Sequence, residues 1–183
     1  MLGITGPPGA GKSTVAERVI AALGERARLV PMDGFHLAGA ELDRLGRRER
    51  KGAPDTFDAE GYVALLARLR ESAEAEVLAP AFRRVTDEPV ADAIAIPRGV
   101  ALVVTEGNYL LLEDDPWAAV RGLLDEVWYV EEDEAERIER LIARHVKFGK
   151  SPDAARAWAL GPDQRNAERV ALTRERADLV ITS

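Results

Sequence analysis

The feature that most constrains this chain is a glycine-rich turn close to its N-terminus. Residues Gly6–Ser13 read Gly-Pro-Pro-Gly-Ala-Gly-Lys-Ser, which fits the phosphate-loop pattern of two glycines followed by a lysine and a hydroxyl residue. The apolar run Met1–Thr5 predicts a strand before the turn, and apolar residues at helical spacing predict a helix over Lys12–Leu23. A strand, a phosphate-binding turn and a helix in this order are typical of an α/β fold.

Such a loop has a defined chemistry. Its glycines let backbone amides turn inward and contact a triphosphate, so we expect the loop to hold ATP. The Lys12 side chain would reach the β- and γ-phosphates, and the Ser13 hydroxyl would bind Mg²⁺. The alternative is a glycine-rich turn that only caps a helix. The residues expected to hold the nucleotide here are Gly6, Gly9, Ala10, Gly11, Lys12, Ser13 and Thr14.

Short apolar runs and amphipathic stretches alternate along the rest of the chain. This alternation predicts an α/β sandwich around a parallel sheet, formed by a single domain over residues 1–183. The long polar stretch 33–58 is of a length that usually serves function, and the proline-rich stretch 77–97 predicts an irregular hairpin. Further strands are predicted at 28–32, 100–104, 126–130 and 178–182, and helices at 59–76, 116–124, 133–148, 152–161 and 163–177.

Composition excludes several classes of protein. The chain has 183 residues, of which 46% are hydrophobic and 31% charged, so it can bury a core and is not disordered. It has no cysteine, which excludes disulfides and thiolate metal sites. The net charge of −7 argues against nucleic acid as a partner. No apolar run approaches the length of a membrane span, and no basic leader precedes Leu2, so we expect a cytoplasmic protein with no membrane partner.

Two acidic residues follow predicted strands. Asp33 comes after the second strand and Glu106 after the apolar run that ends at Val104. Ligands of open α/β sheets bind at the carboxyl ends of the strands. Asp33 could there accept the proton of an acceptor hydroxyl, and Glu106 could hold Mg²⁺ or its water. The alternatives are a turn residue beside Gly34 and a solvent-facing acid.

One predicted helix has a basic face. Arg137, Arg140, Arg144 and Lys147 form a cationic stripe opposite apolar residues, and such a stripe can close over a transferring phosphate. Gly149 follows it, so the region 133–151 is predicted to act as a short lid. The stripe could instead be a solvated helix face.

The phosphate loop alone leaves the fate of the phosphate open. A nucleotide switch or ATPase is the alternative to a kinase. The chain has no Asn-Lys-x-Asp run of the kind that GTPases use to read guanine. A kinase also needs a base and a lid, and the acids and the basic helix supply candidates for both.

Taken together, these motifs resemble the phosphoribulokinase, uridine kinase and pantothenate kinase group of phosphate-loop kinases. Asp33-Gly34-Phe35 is similar to the Asp-Gly-Phe of pantothenate kinases, in which the aspartate is regarded as the catalytic base. The segment 54–58 resembles the Pro-Asp-x-Phe-Asp that lines the acceptor site of uridine kinases. Glu106-Gly107 matches the Glu-Gly after the third strand, and the segment 173–177 closely resembles the Thr-Arg-Glu-Arg-Ala of pantothenate kinases.

The resemblance implies a fold and a set of roles. The fold is a phosphate-loop NTPase three-layer sandwich, with a five-stranded parallel sheet, helices on both faces and a short lid. The activity is ATP- and Mg²⁺-dependent phosphorylation of a hydroxyl. Catalytic roles fall to Asp33, Lys12 and Arg144, a further nucleotide contact to Arg140, and metal binding to Ser13 and Glu106. The implied substrate contacts are Asp33, Phe35, His36, Pro54, Phe57, Glu106, Asn108, Tyr109 and Asn166.

The acceptor is less constrained than the reaction. Gly52 occupies the position at which uridine kinases carry an aspartate that holds the ribose. A nucleoside is nevertheless the first candidate for the small-molecule acceptor, with pantothenate and a sugar as alternatives. A homodimer is the assembly we consider.

Overall fold

A computed structural model describes residues 1–182 of the chain. The strands are β1 (Leu2–Thr5), β2 (Ala27–Pro31), β3 (Glu76–Arg83), β4 (Glu88–Pro97), β5 (Leu102–Glu106), β6 (Glu126–Glu131) and β7 (Leu179–Thr182). The α-helices are α1 (Lys12–Leu23), α2 (Gly39–Arg44), α3 (Ala59–Glu71), α4 (Ala118–Leu123), α5 (Glu134–Lys147), α6 (Pro152–Trp158) and α7 (Gln164–Ala171). No helix within these residues combines the length and apolar character that a bilayer span requires.

The main sheet confirms the predicted architecture. Five strands pair in the order β2-β5-β1-β6-β7, and every pairing is parallel. One face of the sheet packs on α1 through Leu2, Ile4 and Val104, which are buried. The other face packs on α3 and α4 through a larger cluster that includes Val103 and Val127. The result is three layers, with apolar side chains on both faces of the central strands.

The ends of several elements differ from prediction. The helix expected to reach Glu76 stops at Glu71, because Ser72 adopts a left-handed conformation. The helix expected to start at Pro116 starts at Ala118. The single helix expected at 163–177 is shorter and is followed by a separate turn at Arg174–Arg176. These ends are set by local backbone geometry, which apolar periodicity does not report.

The predicted hairpin forms, and it is more regular than expected. Strands β3 and β4 pair antiparallel along most of their length. The register shifts only between Ala79 and Ala81, where Pro80 has no N–H to offer the ladder. The hairpin lies over the turn that follows β2. The approach is so close that a Cβ added to Gly34 would be 2.3 Å from the Pro80 carbonyl oxygen.

Gly34→Ala therefore tests how the hairpin is seated. The added methyl group has backbone against it and cannot be accommodated by a side-chain rotation. We expect the free energy of unfolding to fall by about 1–3 kcal/mol, as is usual for overpacking. Gly122→Ala is the matched control, because nothing lies within 4 Å of its added Cβ in α4. Chemical denaturation of both variants measures the difference, and equal stability would contradict the close seating.

Candidate active site

A cavity of about 630 Å³ opens at the carboxyl edge of the sheet. The register of β5 explains its position, because Glu106 pairs with Ile4 of β1 on one side and with Pro31 of β2 on the other. The loops that follow these three strands therefore leave the sheet at the same edge. Residues of the hairpin tip, the loop 48–57 and the end of α5 complete the wall.

The phosphate loop forms one side of the cavity, in a conformation that depends on glycine. Gly6 has φ +143°, and a Cβ there would lie 2.3 Å from the carbonyl oxygen of Val130. Only a residue without a side chain lets the loop leave β1 so close to β6. The Lys12 side chain is buried, and its Nζ donates to the Pro7 carbonyl at 2.9 Å. Burial lowers the pKa of Lys12 to about 8, partly offset by the charge of Glu106.

Ser13 and Glu106 are in contact where they line the cavity. The Ser13 hydroxyl donates to Oε1 of Glu106 at 3.3 Å. Burial raises the pKa of the Glu106 carboxyl, and the nearby charge of Asp33 raises it further. Residues 1–182 contain no group of three or more acidic or histidine side chains placed to hold a metal by themselves. A Mg²⁺ ion fits here with these two hard oxygen donors, because it commonly takes one or two protein ligands and the rest from phosphates and water.

Asp33 lies in the short turn after β2 and is partly exposed to the cavity. Its Oδ2 accepts from Nη2 of Arg84 at 3.1 Å, and its Oδ1 lies 3.9 Å from Nε2 of His36. The His36 ring stacks on Phe57, with ring centroids 4.0 Å apart, and also contacts Phe82. Burial lowers the pKa of His36 to about 4, so the ring is neutral at pH 7. The acid thus borders both a cation and an aromatic wall.

The basic helix divides into two parts, which corrects the prediction of one continuous stripe. Arg137 is buried and donates to the Pro8 carbonyl at 3.2 Å and also to Gln164. Arg137 anchors α5 to the phosphate loop. The two backbones lie so close that a Cβ added to Gly9 would be 2.8 Å from the Arg137 carbonyl oxygen. The side chain therefore serves as a structural tie, because helical spacing brings it to the packed side of α5 together with Leu141.

Arg140 and Arg144 lie in different surroundings. Arg140 forms ion pairs with Glu132 and Glu136. Its Nη1 would lie 3.9 Å from a Cβ added to Gly11, so the guanidinium borders the phosphate loop. Arg144 lines the cavity one turn further along. Burial lowers the pKa of Arg144, and the positive charge of Arg84 lowers it further. Arg144 forms no ion pair with a carboxylate of residues 1–182.

The loop after α5 closes the far side of the cavity. Nζ of Lys150 lies 4.2 Å from the centroid of the Trp158 ring. His145 of α5 also lines the cavity, and its Nε2 pairs with Asp163 at 2.7 Å.

The structure brings most of the predicted site residues to this one cavity. Three others do not line it. Phe35 packs against Tyr62 in the core, the Pro54 carbonyl accepts from Trp117, and the buried Tyr109 donates to the Gly52 carbonyl. Thr14 is exposed on α1, and Gly6, Ala10 and Gly11 shape the loop without lining the cavity. The predicted residues that line it are Gly9, Lys12, Ser13, Asp33, His36, Phe57, Glu106, Asn108, Arg144 and Asn166.

Sequence reasoning missed Arg84 and Phe82. Both come from the hairpin, whose proline content suggested irregular structure and no site. Lys51 also lines the cavity, where its Nζ lies 5.1 Å from the centroid of the Phe82 ring and pairs with Asp87 at 2.8 Å. No local pattern marks these residues, because the fold of the hairpin over β2 brings them to the cavity.

A parallel sheet with a glycine-rich loop, a buried lysine and two acids at its carboxyl edge defines the class of phosphate-loop nucleotide-binding proteins. The model of the phosphoribulokinase / uridine kinase family matches residues 1–182, so the chain belongs to that family. The reaction is therefore transfer of a phosphoryl group to a hydroxyl, with ATP as the family's donor.

Known proteins agree with this assignment. An ATP-dependent kinase-like protein of Aspergillus versicolor, notR', is 40% identical over 152 residues, covering 78% of this chain and 88% of its own. A Schizosaccharomyces pombe protein assigned provisionally as a uridine kinase is 34% identical over 158 residues, covering 81% of this chain and 67% of its own. A crystal structure from Silicibacter sp. TM1040, provisionally a fructose transport system kinase, has a TM-score of 0.90 at 37% identity, covering 98% of this chain and 88% of its own.

The lowered pKa of Lys12 predicts proton uptake when nucleotide binds. With a pKa of about 8 in the free protein, Lys12 is mostly neutral at pH 8.5, and a bound triphosphate would favour its charged form. At pH 8.5 wild-type protein should then take up most of one proton per nucleotide, and affinity should fall as the pH rises above 8. Calorimetry in buffers of different ionisation enthalpy measures the uptake. Lys12→Arg, whose side chain stays charged, is the control, and equal uptake by both proteins would contradict the assignment.

Proposed function

We propose that the chain transfers the γ-phosphoryl group of ATP to a hydroxyl of a small metabolite, with Asp33 as the base. Asp33 accepts the hydroxyl proton, the acceptor oxygen forms a bond to the γ-phosphorus, and the bond from that phosphorus to the β-bridging oxygen breaks to release ADP. The observation that carries the proposal is the single cavity that joins Lys12, Asp33 and Glu106.

The roles of the other residues follow from their positions. Lys12 and the loop amides would bind the phosphates, and Arg144 would neutralise charge that develops during transfer. Arg140, beside Gly11, would contact the nucleotide from outside the cavity. Ser13 and Glu106 would hold Mg²⁺, which would neutralise charge on the phosphate oxygens. In this proposal the chain forms a single kinase domain, and its lid is formed by about residues 133–151.

The acceptor is proposed at the level of a chemical class. Sequence resemblance puts a nucleoside first, and the stacked rings of His36 and Phe57 would suit a flat base. The position of the ribose-binding aspartate is a glycine, whose carbonyl is taken by Tyr109 and by Asn166. That backbone oxygen is a weaker ribose ligand than a carboxylate, so pantothenate and a sugar remain candidate acceptors.

The test is ATP consumption with a panel of acceptors, namely nucleosides, pantothenate, hexoses and pentoses. A kinase should be nearly idle with ATP alone and active with one class of the panel. A nucleotide switch or ATPase would hydrolyse or retain nucleotide without regard to the acceptor, and that result would overturn the proposal.

Asp33→Asn separates the base from a structural turn residue. The change keeps the shape of the side chain and removes its capacity to take a proton. We expect nucleotide affinity to persist while phosphoryl transfer falls by about 10²–10⁴-fold. Single-turnover transfer and equilibrium binding of a non-hydrolysable ATP analogue measure the two quantities. Asp92→Asn on β4 is the control and should retain full activity. Lost affinity with unchanged turnover would assign Asp33 to metal binding instead.

The division of α5 predicts where the lid moves. Its first part is held on the phosphate loop by Arg137, whereas Arg144 and Lys150 form no ion pair within residues 1–182. Binding of an ATP analogue and an acceptor should slow hydrogen exchange over 144–151, because a bound anion attracts these cations. Residues 137–141 should be protected already in the free protein. Unchanged hydrogen exchange over 144–151 would show that this segment does not act as a lid.

A further inference from the structure

Arg84 stands out among the cavity residues because its partner is the proposed catalytic base. It lies directly after β3, at the tip of the hairpin, and its side chain is 44% exposed. The hairpin tip is held in place independently of this contact, since Lys51 binds both the carbonyl and the carboxylate of Asp87. Arg84 therefore reaches into the cavity from an anchored strand end.

The ion pair between Arg84 and Asp33 opposes the proposed chemistry of Asp33. The Arg84 guanidinium lies 3.1 Å from the Asp33 carboxylate. It occupies Oδ2, one of the two oxygens that a hydroxyl could approach. Transfer would be favoured by a state in which Arg84 has another partner.

The charges around Arg84 indicate what that partner is. Of the other carboxylates that line the cavity, Asp87 is bound by Lys51, Asp163 by His145 and Glu106 by Ser13, and Glu49 lies on the loop 48–57. The opposite wall carries Arg144, and the positive charges of Arg144 and Arg84 repel each other. Cations therefore border the space between the hairpin tip and the lid on both walls, with Arg84 on one and Arg144 and Lys150 on the other. An anionic group brought in by the ligand would complement it.

We propose that Arg84 determines acceptor specificity by binding an anionic group, a carboxylate or a phosphate, on the molecule that is phosphorylated. This inference rests on the proposed function and narrows its acceptor to acids, which puts pantothenate ahead of a neutral nucleoside. In the free protein Arg84 pairs with Asp33, and the acceptor's anionic group takes Arg84 over and leaves Asp33 available to the hydroxyl. A planar guanidinium suits both anions, because it can donate two parallel hydrogen bonds.

The experiment compares matched acid and neutral compounds. The pairs are pantothenate with panthenol, glycerate with glycerol, and ribose 5-phosphate with ribose, so that the carboxylate and phosphate arms are separate. Binding is measured by calorimetry with a non-hydrolysable ATP analogue present, and ADP formation is measured with ATP. The readout is the ratio of acid to neutral affinity within a pair, which cancels any general effect on the site.

For wild-type protein, we expect the acid of at least one pair to bind about 10- to 100-fold more tightly than its neutral partner. Arg84→Gln should bring that ratio close to one, and Arg84→Lys should restore part of it. Arg83→Gln is the control, because Arg83 is the preceding, exposed residue and does not line the cavity. It should keep the wild-type ratio.

Three results would overturn the inference, namely equal binding of acid and neutral compounds to wild-type protein, binding of neither, or an unchanged ratio in Arg84→Gln. The proposed function fails differently. If acids bind through Arg84 but no ADP forms with any of them, the anion site stands and the kinase assignment to these acceptors does not.

Discussion

The parallel pairing of β1 with β5 and β6 is the constraint on which the rest of this protein depends. It places the phosphate loop, the turn after β2 and the end of β5 at one edge, and it fixes Glu106 opposite Ile4 and Pro31. The loop must leave β1 against the carbonyl of Val130, which only a glycine allows. A shift of one residue in this register would exchange the side chains that β5 presents to α1 and to α3, and it would separate Glu106 from Ser13.

Electrostatics then follow from burial at that edge. Lys12, Glu106 and Asp33 are close enough for their charges to act on each other, and two of the three are buried. Burial lowers the pKa of the lysine and raises that of the glutamate, so both groups are less charged than they would be in water. A bound triphosphate with its metal ion would reverse both shifts, because it presents a negative charge to Lys12 and a positive one to Glu106.

The two walls of the cavity differ in how they are held. The hairpin is fixed by the contact of Pro80 with Gly34 and by the ion pair of Lys51 with Asp87. The helix α5 is fixed at its start by Arg137 and carries uncompensated cations at its end. If the proposed roles hold, the hairpin would recognise an acceptor before the end of α5 closes over the nucleotide.

The sequence by itself determined the parts of this protein that depend on local pattern. Residues Gly6–Ser13, together with the flanking apolar run and amphipathic helix, predict the loop and the α/β class, and the acids Asp33 and Glu106 follow from their positions at strand ends. Only the tertiary structure decided that Arg137 is buried against the loop and that Arg84 reaches Asp33. The reason is sequence separation: Arg84 lies 51 residues from Asp33, and Arg137 lies 129 from Pro8. Periodicity reports which face of an element is apolar, whereas the packing of whole elements determines which distant charges meet.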